Sequence, residues 1–144
     1  MKLNQAEIKE FFKLHKSLLF YTNQKMGIIK GIPSISKFKG PILNDVLKLR
    51  NIVCKDLSLI DTFVKQNPYN LSENELKVIE NWKRGINATF IIVKYSKDYT
   101  IFYHSETQKC YGVLYVTSSQ PPKGGGFQLR LQAHDVFLGS QYIL

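Results

Sequence analysis

Residues 60–102 read IDTFVKQNPYNLSENELKVIENWKRGINATFIIVKYSKDYTIF, and the fold class turns on a change of period inside them. Leu76, Ile79 and Trp82 recur at helical spacing, while Glu73 with Lys77 and Glu80 with Arg84 form four-residue charge pairs on the other side. Ser72 followed by Glu75 is a capping box, and Leu71 with Leu76 supplies the apolar staple, so a helix starts at Ser72 and Gly85 stops it. Beyond Gly85 the period drops to two, and β-branched and aromatic residues dominate 88–95 and 99–104. Ser96-Lys97-Asp98 is short enough to force these two strands into an antiparallel pair.

Toward the C-terminus, residues 105–109 form a turn into a third strand over 110–117. Ser118 to Gly126, with Pro121-Pro122 and three consecutive glycines, is a loop, and Phe127 to Leu138 holds a fourth strand with room for a bent fifth. Toward the N-terminus, Asn67-Pro68 ends a helical pattern that starts at Pro41 and carries Val46, Val53, Leu57, Ile60 and Val64; one long helix or two joined near Asp56 satisfy it. Residues 28–41 carry Gly31, Pro33, Gly40 and Pro41, break both periods and read as a loop, ordered or mobile, and as the one credible internal linker. The first helix opens on Asn4 and Glu7, with Leu3 stapled to Ile8. It presents Ile8, Phe11, Phe12, His15, Leu18, Leu19 and Met26 along one stripe and stops at Gly27. The expectation is an α+β chain of one domain, 1–144, mainly helical over 1–86 and mainly β over 87–144. Its N-terminal helices pack on a C-terminal antiparallel sheet of four or five strands, with a partial barrel as the curled form.

Composition narrows the function classes without choosing one. Forty-four per cent hydrophobic residues, with nine Phe, eight Tyr and one Trp, fill one core in a chain of 144 residues. No apolar run approaches the length of a membrane span, and the N-terminal residues have no signal-peptide pattern, so a soluble cytoplasmic protein without a membrane partner is expected. Cys54 and Cys110 form neither a disulfide framework nor a metal pair and read as buried structural thiols. Twenty Lys and Arg against eleven Asp and Glu give a formal charge of +9, which favours an anionic partner.

The combined positions Phe63, Asn67, Pro68, Leu71, Leu76, Trp82, Phe90 and Phe102, followed by Tyr111, Gly112 and Val113, resemble the helix, Asn-Pro, helix, Trp, strand pattern of a family of uncharacterised bacterial proteins. The resemblance covers nearly half the chain, from about residue 57 to 115. The shared residues are caps, turn formers and core aromatics, so it implies a fold and no activity.

Candidate chemistry is sparse. His15, His104 and His134 lie in three different elements without metal-ligand spacing, and His15 on an apolar stripe reads as a satisfied core or boundary residue. His134 and Asp135 are neighbours on a strand and point to opposite faces. Neither cysteine has a local nucleophile signature, no serine sits in a nucleophile elbow, and Lys123-Gly124-Gly125-Gly126 precedes a strand rather than the helix that a phosphate cradle needs. No catalytic, metal or cofactor residue is assigned. Basic and aromatic residues do interleave: Lys94, Lys97, Tyr99, Tyr103 and Lys109 along the strands, with Lys37 and Lys39 in the long loop, form a candidate anion or nucleic-acid surface. The first reading is therefore a non-enzymatic binding or regulatory domain. An RNA or single-stranded DNA binding module is the alternative, and an enzyme assembled from His104, Glu106, Asp98 and His134 is the third. A protein partner, including a second copy of the chain, fits the first.

Overall fold

A computed structural model describes residues 4–38, 43–96, 99–114, 126–133 and 140–143, the last two segments by their backbone pairing. The fold is α+β with the helices N-terminal. It divides into two compact units, one of residues 9–83 and the other of residues 1–8 with 84–144. Leu3, Pro41 and residues 115–125 of the sequence reading lie outside the described residues.

Helix α1 (Gln5–Met26) starts as its sequence dictates. The Glu7 amide donates to the Asn4 side chain at 2.9 Å, and the Asn4 amide donates to the Glu7 carboxylate at 2.7 Å. It stops at Gly27, whose φ of +65° only glycine adopts cheaply and whose N–H closes on the Asn23 carbonyl at 2.7 Å. The chain then does not leave the helical unit as a linker does. The Asn23 side chain grips Ile29 through both backbone groups, and Ile29, Ile32, Ile35 and the buried Phe38 pack on Leu19, Phe20 and Leu49. Over 28–38 the chain is thus the ordered form of the expected loop: the glycine and proline breaks exclude a regular helix or strand, and apolar residues every third position fasten the loop to the helical unit.

Of the two arrangements open after Pro41, the chain adopts two helices, α2 (Leu43–Lys55) and α3 (Ser58–Gln66). Asp56 divides them by accepting from the Ser58 amide at 3.1 Å and its hydroxyl at 2.5 Å, a local bond that competes with helix continuation. Asn67 ends α3 in the left-handed region, φ 39°, and its side chain bonds Leu71 both ways at 2.8 and 2.9 Å. That delivers the chain to Ser72, whose hydroxyl accepts from the Glu75 amide while the Glu75 carboxylate accepts from the Ser72 amide, opening α4 (Glu73–Asn81). A single 3-10 turn, Trp82–Arg84, follows before Gly85. Leu14, Leu18, Tyr21, Val53, Ile60, Phe63, Ile79 and Trp82 form the core of this unit. Lys13 clamps Glu75, and Lys83 reaches Asp61 at 2.5 Å and Glu80 at 3.5 Å.

In the second unit β1 (Ile86–Tyr95), β2 (Tyr99–His104) and β3 (Lys109–Leu114) form the expected antiparallel meander. β4 (Gly126–Ala133) pairs antiparallel with β1, and β5 (Ser140–Ile143) pairs antiparallel with β4 and parallel with β3. The parallel pair departs from the all-antiparallel expectation for a topological reason. Strands one to five alternate in direction, so β3 and β5 run the same way wherever they meet. Phe90, Phe102 and Val113 are fully buried, with Ile86, Ala88, Ile92 and Tyr111 packed around them.

Candidate functional site

Two faces of the meander follow from register. Thr100, Phe102 and His104 alternate inward and are buried, while Tyr99, Ile101 and Tyr103 alternate outward. Residues paired across strands share a face, so Ile91, Tyr103 and Cys110 form one outward row and Lys94, Ile101 and Gly112 the next, with Tyr99 beyond them. The ladder shifts between Ile92 and Lys94, leaving Val93 as an extra residue. Strict alternation would send Lys94 to the face of Phe90; the bulge turns it outward, opposite Ile101.

This outward face is apolar for a solvent-facing sheet. Val93 is 60% exposed, Ile91 49% and Tyr99 39%, and Cys110 and Lys94 are exposed beside them. Gly112 leaves the β3 end of the middle row without a side chain, with Ile101 at its centre between Tyr103 and Tyr99. No acidic residue stands at a described outward position of β1, β2 or β3.

Of the seven residues expected on a basic aromatic surface, Lys94, Tyr99 and Tyr103 therefore come together. Lys109 is exposed but pairs with His104, which puts it in register with the opposite face at the end of the ladder. Lys37 is exposed in a 3-10 turn of the helical unit. Lys39 and Lys97 lie outside the described residues. The sequence reading missed Ile91, Val93 and Cys110. Cys110 corrects the expectation of a buried thiol, because its pairing with Tyr103 fixes it outward; Cys54 is partly buried.

The dispersed polar residues converge only in part. His104 Nδ1 shares a hydrogen bond of 2.7 Å with the Thr107 hydroxyl, and its Nε2 lies 3.8 Å from the Glu106 carboxylate, beyond hydrogen-bond reach. The ring packs on Phe90, so this histidine anchors the turn between β2 and β3. Asp98 and His134 lie outside the described residues. Among the described residues, no group of three or more His, Cys, Asp and Glu could hold a metal ion, and no helix is long and apolar enough to cross a membrane.

His15 also departs from its expectation. Its ring stacks on Phe11 at 5.5 Å and meets Trp82 edge-on at 6.3 Å, yet its inaccessible Nε2 has no hydrogen-bond partner among the described residues. Burial, reinforced by the Arg50 charge, pushes its pKa down from 6.5 to about 4. Its depressed pKa keeps it neutral near pH 7, and it belongs to the helical unit rather than to the unit that carries the outward face.

No family model, curated protein or solved structure matches the chain.

Proposed function

We propose that the β unit is a small closed barrel acting as a non-enzymatic binding module in the cytoplasm, through the outward face of β1, β2 and β3. The observation that carries this reading is the exposure of Val93 and Ile91 beside Tyr99, Tyr103 and Cys110 on one face. Contiguous apolar surface on a small protein costs solubility and is typical of interaction sites. The ladder order β1-β2-β3-β5-β4, with β4 returning to β1, supports the barrel. Closure leaves no free strand edge, so a partner meets side chains rather than unpaired backbone groups. Two free cysteines in separate units support a reducing compartment.

Cys110 is a built-in reporter of this face, with Cys54 in the helical unit as internal control. Maleimide labelling, quantified by peptide mass spectrometry, is compared between purified protein and the clarified lysate of its producing cells. The proposal expects Cys110 to react more slowly in lysate, with Cys54 unchanged, and Val93→Asp to restore its rate. Equal Cys110 rates in both settings would refute occupancy of the face.

A further inference from the structure

We infer that the partner of this face is single-stranded nucleic acid, an inference that rests on the face being a binding site. Three observations converge on it. Tyr99 and Tyr103 stand on the same strand and the same face, four residues and so roughly 13 Å apart along the strand. They offer two aromatic platforms with the smaller Ile101 between them. Base stacking on such platforms tolerates any sequence, because every base has a flat π-face.

The middle row is the second. Lys94 pairs with Ile101 on one side and Gly112 pairs with it on the other, so Ile101 floors the interval between the two tyrosines, the cation flanks it on β1 and the glycine leaves its β3 side without a side chain. A strand crossing Tyr103 and Tyr99 thus has a phosphate partner on one side of its path and an open position, at Gly112, on the other. The third is charge. Residues 84–144 hold six Lys and Arg against three Asp and Glu, and the described outward positions contain no acid, so a polyanion meets no repulsion where it must lie. An apolar protein partner would leave Lys94 buried without a counter-charge, at a cost that the phosphate contact avoids. A duplex hides its bases and gives the tyrosines nothing to stack on. The face uses stacking and charge, so RNA and DNA single strands of the same sequence bind alike.

The test combines fluorescence anisotropy with the Cys110 footprint, using labelled oligo(U), oligo(dT) and a DNA duplex across a salt series. Binding to both single strands is expected, weakening steeply with salt and exceeding binding to the duplex, with Cys110 protected and Cys54 not. Lys94→Ala should lower the slope of log affinity against log salt by about 0.7, the contribution of one phosphate contact on a single strand. Tyr103→Ala should weaken binding roughly tenfold or more while Tyr103→Phe, which keeps the ring, leaves it unchanged. Val93→Glu, at an exposed residue outside the pairing, gives a second variant that does not depend on a half-buried tyrosine and should also weaken binding. No binding at low salt overturns the inference while leaving the face reading to the lysate labelling. Binding that leaves Cys110 reactive, or ignores all these substitutions, overturns the face as its location. Protection of Cys110 in lysate that survives nuclease treatment identifies a protein partner and overturns the inference, though the face reading stands.

Discussion

His15 should make the stability of the helical unit depend on pH in a window where carboxylates contribute little. In the folded chain its pKa is held near 4 by burial and then by Arg50, against 6.5 when unfolded. The native state therefore favours neutral imidazole, and between those two values the unfolded chain binds a proton that the folded one refuses. The contribution is complete above pH 6.5 and is lost as pH falls toward 4, at close to a tenfold change in the unfolding constant per pH unit. The full shift corresponds to about 3 kcal/mol, of which about 2 kcal/mol has gone by pH 5. The Glu75 carboxyl, held below its usual range first by its hydrogen bond to Lys13, contributes in the lower window, above 4.5 and lost beneath it, so the two responses separate. Trp82 is the only tryptophan in the chain and packs against His15, which makes its fluorescence a direct probe of urea unfolding. Wild type should lose stability between pH 7 and pH 5 and His15→Phe, which keeps a ring on Phe11 and Trp82 without a titrating group, should lose about 2 kcal/mol less. Parallel pH profiles for the two proteins would show that the orphaned imidazole is not the source.

Ser72→Ala removes one half of the capping box and should cost about 1 kcal/mol in urea unfolding followed at Trp82; no loss would mean the box is ornamental to α4. Phe102→Ala empties the centre of the β unit, where its ring meets Phe90 edge-on at 6.3 Å, and should cost about 3–5 kcal/mol. Amide exchange in β1 and β3 reports it, and unchanged protection there would contradict the assigned core.

The elements legible in the sequence are those governed by local chemistry. The two boxes, Asn4 with Glu7 and Ser72 with Glu75, and the stop at Gly27 depend on residues within four positions of one another, and all three form as read. What escaped reading depends on distant partners. Ile29, Ile32, Ile35 and Phe38 look like loop residues until α1 and α2 offer them a surface. The bulge at Val93 has no glycine to announce it; it exists because β2 supplies one residue fewer than β1 over that stretch. The candidate face was half legible. The four-residue spacing of Tyr99 and Tyr103 on a strand fixes their common side, whereas Ile91 and Cys110 join them only once register is known. Lys109 was misassigned because a turn shifts its phase relative to β2.

The extra residue in β1 gives that strand one position of slack. Deleting Val93 would bring Ile92 and Lys94 into direct succession opposite Phe102 and Ile101, the partners they already have. A single-residue deletion inside a strand ordinarily inverts every side chain beyond it. Here the reading frame of the ladder survives, and only the most exposed apolar group of the face is lost. The chain can thus gain or shed exposed apolar surface at position 93, or change its chemistry there, without renegotiating the core behind it. Among the outward residues of β1 this is where the surface can change at the lowest structural cost.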